Sequence, residues 1–305
     1  MKRVTWQGVF PAVTTQFKDD ESLDLQATRK VIDALIRDGV DGLIICGTVG
    51  ENCSLSGEEK RAVLTAAKDV AAGRVPVISG VAEYTTRLAC DYARDCAAIG
   101  IDGLMVLPAM VYTAKPHEVV AHFRAVAQAS ALPIMIYNNP PLYKVDVTPD
   151  LLQQLADLPT VQAIKESAGD TRRFVDLVNL VGDRFVLFCG LDDVVLECTM
   201  LGAVGWVSGL SNVFPREGNA MFRLARAGRW DEAMAIYRWF MPLLHLDARA
   251  DLVQSIKLCE AIAGRGAEKT RGPRLALQGA ERAEVERIMR NALGNRPNLA
   301  EKAAE

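Results

Sequence analysis

The sequence predicts an α/β fold, a (β/α)8 TIM barrel with a C-terminal extension of three helices. Short apolar runs recur eight times along the chain, and segments with helical periodicity separate them. In "GVDGLII", "GIDGLMV" and "GAVGWVS", a helix-ending glycine also stands three residues before a strand-opening glycine. Strands this apolar are typical of parallel sheets covered on both faces, and eight such units favour a closed barrel over an open doubly wound sheet.

Each predicted strand is a run of four to six mostly apolar residues. In order they are "GVFPAV" from Gly8, "GLIIC" from Gly42, "VPVIS" from Val75, "GLMVL" from Gly103, "PIMIY" from Pro133, "VQAI" from Val161, "FVLFC" from Phe185 and "GWVS" from Gly205. Because all eight run in the same direction in such a barrel, their carboxyl ends meet at one rim, where active sites form.

The predicted helices carry start and stop signals. Ser56 with Glu59 forms a capping box, and Pro116 and Pro149 stand at first helical positions. The glycines expected to end helices are Gly39, Gly73, Gly100, Gly182 and Gly202.

Strand-like runs stop after about residue 226, so we place the barrel in residues 1–226. Three amphipathic segments, "RWDEAMAIYRWFMPLL", "ADLVQSIKLCEAIAG" and "ERAEVERIMRNAL", form the expected helical extension in residues 227–294. Residues 295–305 contain little apolar surface, and we expect them to form a disordered tail.

Composition excludes several classes of partner. Half of the 305 residues are hydrophobic, 24% are charged and the formal net charge is -3. No basic run with interleaved aromatic residues is present, which argues against nucleic-acid binding. The apolar runs are far shorter than the roughly 20 residues of a membrane span, so we expect no membrane association and a cytoplasmic location.

The cysteines and histidines show no ligand spacing. The seven cysteines are scattered and include no C-x-x-C pair, which indicates reduced, partly buried thiols. The three histidines, His117, His122 and His245, form no cluster that predicts a metal site.

Polar residues follow five of the predicted strands. They are "GTVGEN" from Gly47, "YNNPP" from Tyr137, Lys165 with Glu166 and Ser167, "CGLDD" from Cys189, and "SGLSN" from Ser208. We therefore expect the functional site at this rim.

Lys165 ends an apolar strand, where burial of an ammonium is costly. Desolvation lowers the pKa of an amine and leaves part of it neutral, so a lysine at this point can condense with a ketone. The alternative is a lysine whose ammonium extends to solvent. Tyr137 can serve as a proton shuttle or as a structural tyrosine, and the "GTVGE" glycines allow either an anion-binding turn or an ordinary loop.

Together these motifs resemble the dihydrodipicolinate synthase and N-acetylneuraminate lyase superfamily. The resemblance covers nearly the whole chain through "GVFPAVTTQF", "GTVGE", "YNNP", "IKES" with "GD", and the C-terminal helices. It implies a homotetramer, a dimer of dimers, in which Lys165 forms a Schiff base with C2 of pyruvate or another 2-oxo acid. Tyr137 would be the shuttle, and the loop from Gly47 to Glu51 would hold the carboxylate. No metal or organic cofactor is implied.

The chain also departs from that family's pattern. Val49 replaces a hydroxyl-bearing residue in the loop, and Ala109 and Met110 stand where the synthases have a tyrosine pair. The inter-subunit tyrosine is thus missing unless Tyr112 replaces it. Leu142 occupies the position of the synthases' arginine for the aldehyde's carboxylate, which argues against lysine biosynthesis.

We expect the catalytic residues to be Lys165, Tyr137 and Thr48, and the substrate contacts to come from Gly47, Val49, Gly50, Glu51, Gly190, Asp192, Asp193 and Ser208. The two aspartates lie where neuraminate lyases bind substrate hydroxyls, although helix capping is the alternative. The expected activity is dehydration or deamination of a 2-oxo-3-deoxy sugar acid or 1-pyrroline-4-hydroxy-2-carboxylate. The alternatives are a pyruvate-dependent aldolase, of the dihydrodipicolinate synthase or neuraminate lyase type, and a non-catalytic ligand-binding barrel.

Overall fold

The computed structural model describes residues 2–109 and 111–299 and confirms the (β/α)8 barrel. Its strands are β1 Gly8–Pro11, β2 Leu43–Ile45, β3 Val77–Val81, β4 Gly103–Val106, β5 Ile134–Asn138, β6 Val161–Glu166, β7 Val186–Cys189 and β8 Gly205–Ser208. Neighbouring strands pair in parallel, β1 pairs with β8, and a parallel bridge from Ala12 to Ile44 closes the ring. Each strand begins within two residues of its predicted start.

Twelve helices cover the described part of the chain. They are α1 Leu25–Arg37, α2 Gly57–Ala71, α3 Thr86–Ile99, α4 Pro116–Ala129, α5 Pro140–Tyr143, α6 Pro149–Gln153, α7 Arg172–Val181, α8 Val195–Met200, α9 Pro215–Arg226, α10 Trp230–Leu244, α11 Leu252–Ile262 and α12 Gly279–Gly294. Short 3-10 turns follow β2, β7 and β8. Within the described ranges, none of these helices has the length and apolar content that a membrane span requires.

The sequence signals for helix ends appear in the structure. The Ser56 side chain accepts a hydrogen bond from the Glu59 backbone, and the Glu59 carboxylate accepts one from the Ser56 backbone. Pro116 and Pro149 begin α4 and α6, and Gly100 ends α3 in the left-handed conformation. These local signals fix where each connection enters and leaves the barrel.

The last three helices, α10 to α12, form the extension, and α11 reaches the barrel rim. Lys257 of α11 donates to the carbonyl of Thr15, just after β1, and the Glu260 carboxylate accepts from the Thr14 hydroxyl. Helix α11 therefore covers the rim at which the strands end.

The end of the chain is ordered further than the sequence predicts. Arg296 donates to Glu217 at 2.5 Å and stacks over the Phe214 ring, and Leu299 packs against the core. The expected disordered tail therefore does not begin at Asn295, because these two side chains dock on α9 and its preceding turn. Residues 300–305, together with Met110, lie outside the described residues.

Candidate active site

Lys165 lies in the fully buried strand β6, and only 6% of its surface is exposed. Its Nζ atom lies 3.7 Å from the centre of the Tyr137 ring, on the adjacent strand β5. Among the described residues, no carboxylate or carbonyl oxygen pairs with this ammonium. The alternative of a lysine that extends to solvent is therefore excluded, since the side chain ends inside the barrel.

A glycine makes room for that lysine. An added Cβ at Gly190 would lie 2.5 Å from Lys165 Cγ and 2.7 Å from Cε, so no larger residue fits at this point of the rim after β7. Gly190 lines the same cavity as Lys165. Its absent side chain leaves space in which the lysine can extend.

Three hydroxyl groups meet on the other side of Lys165. Tyr137 is buried, and its hydroxyl accepts from the Asn139 amide at 3.0 Å. Its ring packs edge-to-face on Tyr143 at 5.5 Å, and the Tyr143 hydroxyl is hydrogen-bonded to Thr48 Oγ1. Burial and the neighbouring Tyr137 raise the pKa of Tyr143, while the bond to Thr48 opposes this rise. The Tyr143 hydroxyl is thus kept protonated and able to donate.

The loop after β2 divides into two parts. Gly47, Thr48 and Val49 line the cavity of Lys165, and the backbone N–H groups of Thr48 and Val49 have no acceptor among the residues that the structure describes. Two free amides at a cavity wall form a suitable contact for a carboxylate. Gly50 and Glu51 lie behind this wall.

The second part of the loop has a structural role. The Gly50 carbonyl accepts from the Thr15 hydroxyl, and the fully buried Glu51 carboxylate accepts from Lys257 Nζ at 2.9 Å and from the Arg271 backbone at 3.1 Å. Burial lowers the pKa of Lys257, and the pairing with Glu51 counteracts it. Glu51 therefore does not contact substrate in this arrangement, but fixes the loop that does.

Apart from Gly190, the residues predicted after β7 and β8 do not line the cavity. The Asp192 carboxylate is fully buried and accepts from Trp206 Nε1, Ser208 Oγ and the amides of Gly209 and Leu210. Burial, followed by the charge of Asp247, raises the pKa of Asp192. The Asp192 carboxylate thus joins the ends of β7 and β8. It makes neither the expected contact with substrate nor the alternative contact, a cap on the next helix.

Asp193 and Ser208 are also turned away from Lys165. Asp193 accepts from His245 Nδ1 at 2.8 Å and does not line the cavity. The Ser208 hydroxyl donates to Asp192 and accepts from the Ser211 backbone. Both contacts were predicted from strand order alone. Strand order places residues at the rim but does not give the direction of their side chains.

The cavity at Lys165 is small, about 30 Å³, and its polar walls include two residues that the sequence analysis missed. Asp247, from the connection between α10 and α11, lines it together with Asn139. Burial raises the pKa of the Asp247 carboxyl to about 6, with Lys165 and an Asp192 N–H opposing the rise. Leu142 also lines the wall, so an apolar group stands where the family resemblance implied a cation.

A larger groove, about 690 Å³, lies between α10 and α12. Its walls include Trp239, Leu243 and Ile288, on helices of the extension and not at the strand ends. We assign the active site to the smaller cavity because it holds the buried lysine and the free amides. No cluster of three or more metal-ligating side chains occurs in the described ranges.

The model of the Dihydrodipicolinate synthetase family matches residues 5–292. The chain belongs to this family. It is therefore a lyase of the class I aldolase type, as the resemblance implied, and the non-catalytic alternative is not supported. Family membership agrees with the site, in which a buried lysine ends strand β6.

Relatives in the dihydrodipicolinate synthetase family are similar over most of their length. The chain is 34% identical over 285 residues to a 4-hydroxy-tetrahydrodipicolinate synthase of Acidobacterium capsulatum, covering 92% of this chain and 94% of the relative. It is 35% identical over 243 residues to the same enzyme of Methanothrix thermoacetophila, covering 78% and 81%.

Solved structures of the family superpose closely. The 4-hydroxy-tetrahydrodipicolinate synthase of Methylacidiphilum fumariolicum SolV gives a TM-score of 0.91 at 26% identity, covering 95% of this chain and 97% of the other. YagE, a prophage protein of E. coli K12 described as belonging to the dihydrodipicolinic acid synthase family and solved in complex with pyruvate, gives a TM-score of 0.90 at 27% identity, covering 95% and 99%.

Proposed function

We propose that the protein is a pyruvate-dependent aldolase in which Lys165 forms a Schiff base with C2 of a 2-oxo acid. The observation that carries this proposal is the buried Lys165 ammonium, which has no ion-pair partner among the described residues and faces the Tyr137 ring. A lysine buried without a compensating charge is costly to folding, so its position is explained by chemistry that uses the amine. The pyruvate complex of the related YagE supports pyruvate as the first substrate.

The site geometry supports an order of steps. The carboxylate of the 2-oxo acid binds at the free amides of Thr48 and Val49, which places C2 at Lys165. The neutral amine attacks C2, and Tyr137 passes a proton to the carbinolamine oxygen, which leaves as water. The resulting iminium withdraws electrons from C3, so a C3 proton is lost and the enamine forms. This enamine adds to an aldehyde, or is produced when a C3–C4 bond breaks.

The second substrate of the proposed aldolase is an aldehyde, and the cavity walls bear on its chemical class. Relatives named as synthases favour carbon–carbon bond chemistry over the dehydration or deamination that the sequence analysis preferred. Leu142 in the cavity wall offers nothing to a second carboxylate, and the guanidinium of Arg249 in the adjoining pocket is paired with Asp251 and Glu284. We therefore propose an aldehyde without a carboxylate near its carbonyl group.

We propose two further features of the enzyme, its oligomeric state and its location in the cell. We propose that it is a homotetramer, because two groups of exposed apolar residues, one on the connections after β3 and β4 and one on α7, can each form an interface. We also propose a cytoplasmic location, since all seven cysteines are free and the reducing cytosol maintains thiols.

Borohydride trapping tests the Schiff base. With pyruvate and borohydride, we expect one covalent adduct per chain, located on Lys165 by peptide mass mapping, and exchange of the pyruvate C3 protons in D2O measured by NMR. Lys165→Met should abolish both, whereas Lys30→Met, at an exposed position on α1, should retain both. An adduct on another lysine, or none with any 2-oxo acid, would overturn the proposal.

A panel of aldehydes then tests the second substrate. We expect condensation of pyruvate with uncharged aldehydes and a kcat/KM for aspartate semialdehyde below the ordinary enzyme range, under about 10⁴ M⁻¹s⁻¹. Leaving its carboxylate unpaired beside Leu142 is expensive. Efficient turnover of that aldehyde would show that another group binds the carboxylate.

A further inference from the structure

Asp247 is a carboxylate at the active-site rim for which the steps proposed so far have no use. It lies between α10 and α11, far in sequence from the strand ends. One of its oxygens accepts from the Asp192 backbone at 3.4 Å, and an added Cβ at Gly209 would lie 2.4 Å from the other. The carboxylate is therefore fixed against the ends of β7 and β8.

Its position relative to Lys165 is defined by strand order. Tyr137 is on β5, next to β6, and Asp247 is anchored at β7 and β8, on the opposite side of the lysine. Lys165 and Asp247 line one cavity without forming an ion pair in the described structure. A bound molecule can thus have Tyr137 on one side of its C2 atom and Asp247 on the other.

Asp247 also stands where the cavity opens. Beyond the small cavity lies an outer pocket of about 330 Å³. The residues that line both are Asn139, Leu142, Leu191, Asp247 and Leu252. With C1 at the amides of Thr48 and Val49 and C2 at Lys165, this opening gives the chain beyond C3 a way out that passes the Asp247 carboxylate.

We propose that Asp247 is a further catalytic residue, which exchanges a proton with the C4 oxygen of the substrate. The inference rests on the proposed Schiff base at Lys165. In cleavage, the Asp247 carboxylate takes the proton of the C4 hydroxyl, and the electron pair of the broken O–H bond forms the aldehyde carbonyl. The pair of the broken C3–C4 bond forms the C2–C3 double bond, and the π pair of the iminium moves to its nitrogen. In condensation the same proton returns to the new C4 oxygen.

The charges around Asp247 permit this role. Burial raises its pKa most, Lys165 from β6 and the Asp192 N–H lower it, and Asp193 from the turn after β7 raises it further. The Asp192 carboxylate also lies close, and Arg249 on the same connection is engaged with Asp251 and Glu284. The resulting pKa of about 6 leaves most of the carboxyl ionised at neutral pH, as a base requires, yet close enough to neutrality to return the proton.

The test separates chemistry at C3 from chemistry at C4. In Asp247→Asn we expect pyruvate trapping on Lys165 and C3 proton exchange to remain within about threefold of wild type, which also shows that the variant is folded. Condensation with the best aldehyde of the panel, and cleavage of the corresponding 4-hydroxy-2-oxo acid, should fall by roughly 10²-fold or more. The low-pH limb of the kcat/KM profile for cleavage, near the pKa of about 6, should disappear.

Asp251→Asn is the matched control. Its carboxylate is four residues away, bonds to Arg249 and Ser255, and does not line the cavity, so cleavage and its pH profile should stay unchanged. The inference is overturned if Asp247→Asn lowers exchange and cleavage equally, or lowers neither. It is also overturned if the wild-type enzyme traps pyruvate but forms and cleaves no C3–C4 bond, a result that leaves Lys165 as the Schiff-base residue. Absence of trapping in the wild type instead removes the proposed function itself.

Discussion

At the scale of single residues, the chain of hydroxyl groups beside Lys165 carries the proposed proton transfer at C2. Tyr137 lines the cavity, whereas Tyr143 stands behind Thr48 and faces a second pocket. A group that delivers the proton directly contributes more than one that relays it. The two tyrosines should therefore differ in their effect on turnover.

Tyr137→Phe should lower kcat for C3 exchange of pyruvate by roughly 10²- to 10³-fold, within the usual range for a positioned proton-transfer group. Tyr143→Phe should lower it by about tenfold, because Thr48 keeps its contact with the cavity but loses its partner. Tyr84→Phe, at an exposed position, is the control. Equal kcat in wild type and Tyr137→Phe would assign Tyr137 a structural role.

The sequence predicts the position of a site residue where that residue ends a strand. It does not predict the position where a helix connection brings a residue to the site from far along the chain. Lys165 and Tyr137 each follow an apolar run, so periodicity alone placed them at the rim. Asp247 lies in a helix connection whose contacts with Asp192 and Gly209 are about 40 to 55 residues distant. No local pattern reports such a contact, and an acidic residue between two helices has no distinguishing neighbour in the sequence.

At the scale of elements, the Lys257–Glu51 pair connects α11 to the loop after β2. Both side chains are fully buried, and the Lys257 ammonium also donates to the Thr15 carbonyl. Removing one member of a buried pair leaves an uncompensated charge, which costs more than replacing both. The extension thereby holds the loop whose amides face Lys165.

Lys257→Met should destabilise the protein by about 3 to 5 kcal/mol, since the buried Glu51 loses its partner at 2.9 Å and keeps only the more distant Arg274 guanidinium at 4.0 Å. The double variant Lys257→Met with Glu51→Gln should recover a large part of this loss, because the Glu51 charge is removed together with its partner. Midpoints of urea unfolding measure both, with Lys30→Met as the surface control. A single variant as stable as wild type would show that water or another cation replaces Lys257.

Element boundaries followed from local chemistry more faithfully than side-chain directions did. The capping box at Ser56 and the proline starts of α4 and α6 are satisfied within one turn of chain, so the sequence specifies them. The sequence pattern places Asp192 at the correct strand end. Its carboxylate nevertheless points to β8, because four hydrogen-bond donors lie there. Those donors come from a different unit of the barrel.

At the scale of the whole molecule, the exposed apolar side chains include two groups on different parts of the barrel, besides scattered residues such as Met200 and Leu275. One set surrounds the loops after the neighbouring strands β3 and β4 and consists of Tyr84, Leu88, Val111 and Tyr112. The other lies on α7, where Val175 and Val178 are exposed one turn apart. A dimer of dimers requires two distinct interfaces on one chain, because each two-fold axis uses its own, and we expect these two groups to form them.

We therefore expect the protein in solution to have about four times the 33.2 kDa mass of one chain, measured by light scattering after size exclusion. Val178→Asp should break only the α7 interface and leave a dimer that retains C3 exchange, since α7 contributes no cavity residue. Val111→Asp should disrupt the other interface and lower exchange as well as mass, because Val111 is on the connection after β4 whose Leu107 lines the pocket that Tyr143 faces. A wild-type monomer with full exchange activity would contradict the tetramer, and a Val178→Asp tetramer would remove α7 from its interfaces.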